Sequence, residues 1–267
     1  MPVAEKLLLS LSLLAGTALA DVLPTLPDQS NATAVTLRFC YEDKQLLPYY
    51  AGNGEQVASP PGVTIEHLQA AAKLTRIQLV LQRKPWLRCL QLLEQNKVDA
   101  LVATYAESRR SFAVYPLNSN DEPDARLALS QHSTCLVQRH NDNVIQRSAT
   151  GIVIARPLGY TTPDYPVEVR IVAVQSQQQA FDLVKQGRVD ATTTLCEVTQ
   201  LPAPTGFTEG LEVVYPPLYQ TTGYLMFSKG FYQQHPHDPY VCSKLGGLYL
   251  KIGRDKEGFK LLKHGLK

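Results

Sequence analysis

Apolar and polar residues alternate over residues 35–41, the period-two signature of a strand. After a loop rich in proline and glycine (48–61), Gly62 introduces a stretch whose apolar positions include Ile65, Leu68 and Ala72, which predicts a helix over 63–74. A strand at 77–81, a helix at 86–95 and a strand at 98–104 follow. Strands alternating with helices in this order predict a parallel sheet with right-handed crossovers. Two β-like runs between 112 and 139 flank a polar bend at 118–124. Strands at 151–155 and 169–174, a helix at 176–186 and a strand at 189–194 then repeat the alternation. Residues 213–227 read as a long return segment, and 240–252 and 256–266 as terminal helices.

One unit of this pattern occurs twice. Leu92-Leu93-Glu94-Gln95-Asn96-Lys97-Val98-Asp99-Ala100 matches Leu183-Val184-Lys185-Gln186-Gly187-Arg188-Val189-Asp190-Ala191, with Leu, Gln, Val, Asp and Ala in register. Asn96 aligns with Gly187, and both residue types readily take the left-handed conformation that ends a helix. Each copy therefore reads as helix, cap, tight turn and strand. A unit recurring once, too far apart for a solenoid, implies two similar α/β lobes. The fold class expected is a two-lobed α/β protein, each lobe a mostly parallel sheet flanked by helices, joined by two hinge strands. Lobe one is expected to comprise 35–127 and 217–267, and lobe two 128–216. Ligands of open parallel sheets sit beyond the C-terminal strand ends, here Tyr41-Glu42, Ala103 to Tyr105 and Thr194 to Glu197.

The N-terminal segment adds a compartment. Lys6, an apolar run over 7–16 and Ala18-Leu19-Ala20 before Asp21 have the form of a cleavable secretory signal over 1–20, followed by a polar leader over 21–34. The expected location is the periplasm. A net charge of +2 with no basic stripe gives no reason to expect a nucleic-acid partner. Five cysteines make an odd number for an oxidising compartment, so at most two disulfides form. Cys40 with Cys89 and Cys196 with Cys242 are possible pairs, and buried free thiols are an equal alternative. No Cys/His spacing suggests zinc, and His235-Pro236-His237-Asp238 reads as an exposed loop. No metal or cofactor is expected, and no hydrolase signature stands out.

Several motifs in order carry a family resemblance. They are the strand with an acidic end (Arg38-Phe39-Cys40-Tyr41-Glu42), the helix after Pro61-Gly62, the strand from Asp99-Ala100 running to Thr104, Glu107 and Arg109, and the Gly187-Arg188-Val189-Asp190-Ala191 turn. Together they resemble the extracellular solute-binding proteins of ABC importers, in the polar amino-acid branch, over most of the chain beyond the signal. Lys84-Pro85-Trp86-Leu87-Arg88-Cys89 also resembles a branch of exported substrate-binding domains.

The resemblance implies roles residue by residue. Arg109, five residues after Thr104, would form a bidentate pair with a ligand α-carboxylate, for which a planar guanidinium fork is suited, or be a surface residue like the adjacent Arg110. Thr104 would add a hydroxyl, or simply reflect β-propensity. Thr161 would approach the same carboxylate with helix N-terminal amides, although Pro163 and Pro166 would shorten such a helix. Trp86 would be a shelf for the ligand body or a core residue. Glu42 would meet a distal cationic group or be a solvated loop carboxylate. Tyr49, with Tyr50, would supply a further aromatic. The family's lobe-two Asp for the ligand ammonium falls at Leu195; Glu197, two residues on along the strand, would take its place, or else the ligand would not be a free α-amino acid.

The function implied is capture of a small polar ligand, an amino acid or related carboxylate, by hinge closure for ABC-type import. The expected protein is a monomer with a permease or a membrane sensor as partner. The rival is an enzyme on the same scaffold, resembling cyclohexadienyl dehydratase, with Glu42 or Glu197 as general acid. A ligand-sensing accessory protein is a third reading.

Overall fold

The computed structural model describes residues 35–75, 77–147, 151–161, 164–198, 201–202 and 209–235. The expected signal over 1–20, the leader over 21–34 and the terminal helices over 240–252 and 256–266 lie outside the described residues. The first half of the chain runs β1 (Thr36–Glu42), α1 (Val63–Thr75), β2 (Gln78–Lys84), α2 (Trp86–Glu94), β3 (Ala100–Thr104) and a short β4 (Ala113–Val114). The second runs β5 (Ala128–Arg139), α3 (Val144–Arg147), β6 (Ile152–Pro157), β7 (Val169–Val174), α4 (Gln177–Lys185), β8 (Ala191–Val198) and β9 (Leu201–Pro202). β10 (Leu211–Ser228) then returns, and α5 (Lys229–Gln234) follows.

The strands join in the order β2-β1-β3-β10-β5-β8-β6-β7. This order is a near mirror image about the β10–β5 pair. β1 lies parallel to β2 and β3, and β6 lies parallel to β7 and β8. Each parallel trio is a lobe, and the long antiparallel strands β5 and β10 cross between them.

Burial follows from the sequence pattern. Leu37, Phe39 and Tyr41 of β1 face Ile65, Leu68 and Ala71 of α1, while Cys40 on the opposite face joins Leu93, Leu101 and Met226. In the second lobe Ile152 and Ile154 pack with Leu136 and Val144, and Ala155 with Ala180 and Val184 of α4. Full burial of such aliphatic or aromatic side chains stabilises by about 1.5–3 kcal/mol each. Both faces of each trio are thus covered, as parallel sheets require.

The repeated unit sits at equivalent places in the two lobes. Asn96 has φ +54° and Gly187 φ +71°. Lys97 N–H bonds the carbonyl of Leu92, and Arg188 N–H that of Leu183. The Asp of each copy then holds the neighbouring strand: Asp99 accepts from the Arg38 amide at 2.7 Å and Asp190 from the Val153 amide at 2.8 Å.

Two disulfides form, Cys40–Cys89 between β1 and α2 and Cys135–Cys196 between β5 and β8. The second corrects the Cys196–Cys242 alternative. Pairing of β5 with β8 brings Cys135 within 5.7 Å (Cα–Cα) of Cys196, a juxtaposition made by strand order and not by any local motif. Cys242 lies outside the described residues.

Candidate functional site

A cavity of about 180 Å³ lies between the lobes, and Glu42, Arg109, Arg156, Tyr160, His132 and Tyr219 are among the residues lining it. One water needs roughly 10–15 Å³ measured this way, so the space suits a multi-atom ligand. Its walls come from the C-terminal ends of β1, β3 and β6, from the loops that follow them, and from the hinge strands. This is where ligands of open parallel sheets bind.

Arg109 sits on a 3-10 turn, Glu107–Ser111, directly after β3. The side chain is buried. Its Nη1 donates to the Thr104 carbonyl at 2.9 Å and its Nη2 to the Gly159 carbonyl at 2.9 Å. A guanidinium has five N–H donors, so these two bonds fix its position and leave others to spare. Among the described residues no carboxylate forms an ion pair with it. Trp86, first residue of α2, lies beneath the guanidinium with its ring centre 5.8 Å from Cζ, and its Nε1 donates to the same Gly159 carbonyl at 3.1 Å. The Gly159 carbonyl, in the lobe-two loop after β6, is thus shared by two donors of lobe one.

Glu42 ends β1 and is buried. Its Oε2 accepts from Tyr160 Oη at 2.7 Å, a second bond across the cleft. Burial pushes the Glu42 carboxyl above its ordinary value, against the lowering effect of the Tyr160 bond. Burial, reinforced by Glu42, pushes the Tyr160 phenol well above its own. Tyr49 forms another part of the wall, donating its hydroxyl to the Gln131 carbonyl of β5 at 3.1 Å, and its ring stands 5.6 Å from that of His132. Burial raises the Tyr49 phenol and lowers His132 to about 4. The His132 Nδ1 is buried with no hydrogen-bond partner.

The structure brings six of the sequence-predicted residues to one cavity: Arg109, Thr104, Trp86, Glu42, Thr161 and Tyr49. Thr161 does not open a helix, because residues 164–168 run irregularly into β7. Glu197 is not among the lining residues, and this corrects its placement beside the ligand. The strand alternation that would have put it there is broken: Thr134 pairs with Leu195 and Ser133 with Glu197, so β8 carries one extra residue. Such a bulge changes which face later side chains occupy. Leu195 lines the cavity instead, and Glu42 is the one carboxylate on the wall among the described residues.

Sequence reasoning did not single out Arg156, Tyr160, His132 or Lys44, which also line the cavity. Arg156 lies near the C-terminal end of β6, so the strand-end rule that selected Glu42 and Thr104 would have found it. Nothing in the sequence shows that His132 on β5 faces the cleft.

No family model matches the chain, and no curated protein matches it. Solved structures do. Holo ArgBP from T. maritima superposes with a TM-score of 0.59 at 14% identity, over 86% of this chain and 95% of that one. A histidine kinase sensor domain with similarity to periplasmic binding proteins gives 0.59 at 12% identity, over 87% and 96%. The ancestral amino acid-binding protein AncCDT-1, a precursor of cyclohexadienyl dehydratase, gives 0.59 at 17%, over 87% and 95%. At such identities the likeness establishes the fold: the chain has the two-lobed architecture of periplasmic binding proteins.

Proposed function

We propose that this protein is a periplasmic solute-binding protein that captures a small carboxylate-bearing polar ligand between its lobes for ABC-type import. The observation that carries this reading is Arg109. It is a buried guanidinium at the end of a parallel strand, aimed by two backbone carbonyls and facing a cavity, with no protein carboxylate paired to it among the described residues. A ligand carboxylate would supply the missing anion. Trp86 would shelve the ligand body, Thr104 and Thr161 would add hydroxyls, and Tyr49 would close the wall. The lobe division we propose is 35–127 with 217–267 against 128–216. The binding proteins among the structural neighbours support a solute-binding role, and the sensor-domain neighbour keeps signalling to a membrane partner as the alternative use of the same closure.

The enzyme reading has one observation in its favour. Glu42 is a buried carboxyl whose proton is held more tightly than usual, as a general acid requires, and a dehydratase precursor shares the fold. Turnover of cyclohexadienyl acids, abolished by Glu42→Gln, would establish it.

Thermal unfolding with a panel of amino acids and small carboxylates tests the binding reading. A ligand at 100 times its Kd stabilises by about 2.7 kcal/mol, a rise of roughly 5–10 °C for a domain of this size. The expected result is a stabilising carboxylate whose effect is lost in Arg109→Ala. Stabilisation unchanged in that variant would refute the assignment of Arg109.

A further inference from the structure

The cavity holds a second cation that the reading above does not use. Arg156 is 5% exposed and lines the cavity, and its Nη1 is buried with no hydrogen-bond partner. No acid among the described residues pairs with it. Arg83 shows what a structural buried arginine looks like in this same protein. It is 2% exposed, and its N–H groups meet the carbonyls of Glu42, Gly52 and Gln56. Arg156 has no such set. Its charged neighbours are replaced by the phenols of Tyr165 and Tyr219, and Tyr165 Oη is itself buried without a partner. A desolvated cation with an orphaned donor costs folding free energy. Such a group persists where something from outside completes it.

The balance of charge on the wall agrees. Among the described residues Arg109, Arg156 and Lys44 face the cavity, against Glu42 alone, and Glu42 is already engaged by Tyr160. His132, kept neutral by burial, adds nothing at neutral pH. Two positive charges are therefore left over. Nor do the described residues of lobe two offer an anion to a ligand ammonium, since Leu195 occupies the wall and Glu197 is not among the residues lining it.

We infer that the ligand is a small dicarboxylate without an α-ammonium group, one carboxylate on Arg109 of lobe one and the other on Arg156 of lobe two. This rests on the reading of the cavity as an interlobe binding site. It also gives closure a driving force. A ligand with one anion for each lobe binds the closed form better than the open one, as any ligand that shifts the equilibrium must. A monoanion satisfies one lobe only. The hydroxyls of Tyr219, Thr134 and Thr221 stand on the same wall to meet a keto or hydroxyl group between the carboxylates.

Calorimetric titration of the purified protein with succinate, glutarate, 2-oxoglutarate, their monomethyl esters and L-arginine tests the inference. At least one diacid binds, and its monomethyl ester binds about 30-fold more weakly or worse, the scale of removing one partner of a buried charge pair. That comparison needs no variant. Arg156→Met lowers diacid affinity to the level of the ester, leaves the ester's own affinity within about twofold, and raises the melting temperature of the ligand-free protein. Arg156→Lys, which keeps the charge without the fork, falls between the two. L-arginine or an ester binding more tightly than every diacid, unchanged by Arg156→Met, overturns the dicarboxylate assignment and leaves the interlobe site standing. Absence of binding by every probe to the folded protein overturns both.

Discussion

Three buried arginines among the described residues differ in what surrounds the charge. Arg83 is sheathed in carbonyls and stacked at 5.1 Å on Tyr41, so it fixes the loop that carries Lys44 and Tyr49 to the cavity. Arg109 is positioned by two carbonyls, and Arg156 lacks even those. Burial is equally visible at all three, and only the inventory of acceptors separates scaffold from site. His132 offers a sharper quantitative test. Burial pushes it down to about 4, while the unfolded chain takes up the proton near 6.5. The unfolded state then binds more protons, so the stability tied to neutral His132 is complete above about pH 6.5. It is lost as pH falls towards 4, about 3 kcal/mol in all. Urea unfolding of wild type and His132→Gln at neutral pH and near pH 4.5 checks this. The variant should lack that share of the decline, and two parallel pH profiles would refute it.

At the scale of elements, the duplicated unit was legible because its information is local. A left-handed cap and a Val-Asp-Ala strand start need only neighbouring residues, and both copies fold as expected. The capping residues do differ in use. Asn96 Oδ1 also accepts from the Gly230 amide of α5 at 2.7 Å, while a Cβ at Gly187 would meet nothing closer than Arg139 Nη1 at 3.9 Å. Gly187→Ala should therefore destabilise through backbone strain alone, by about 1–2 kcal/mol. Asn96 already carries a Cβ at its positive φ, so Asn96→Ala should lose only the exposed bond to the Gly230 amide, about 0.5–1.5 kcal/mol. Chemical denaturation of each variant measures the two effects separately, and no loss in Asn96→Ala would show that the Asn96–Gly230 bond contributes nothing. The strand of the second copy was harder to read to its end. The extra residue between Leu195 and Glu197 is dictated by pairing with β5, and the same pairing chose Cys135 as the partner of Cys196.

At the scale of the whole molecule, β5 and β10 make the hinge, and their ladder breaks between Val214 and Tyr219. Pro216 and Pro217 fall in that gap and have no N–H to donate. The two lobes meet at Gly159, whose carbonyl takes both Trp86 Nε1 and Arg109 Nη2. Gly159 has φ +80°, and a Cβ there would come within 3.1 Å of Trp86 and of Leu87. Gly159→Ala should hold the lobes apart, weakening ligand affinity about tenfold, or 1.4 kcal/mol. Small-angle scattering should show a larger radius of gyration with ligand present than for wild type. Unchanged affinity and radius would mean that the loop yields without cost.

The sequence by itself determined the alternation of strands and helices, the duplication, and hence two parallel lobes with their strand ends facing a cleft. These follow from periodicity and capping, which act over a few residues. Arg109 was singled out by the family resemblance, whose motif fixes its spacing from Thr104, and that motif is local because a strand end and the turn after it are continuous in the chain. Only the tertiary structure decided that Glu197 leaves the cleft, that Arg156 and His132 enter it, and that Tyr160 reaches Glu42. Each depends on the register between strands far apart in sequence, and on whether a buried charge finds an acceptor, which no local pattern encodes.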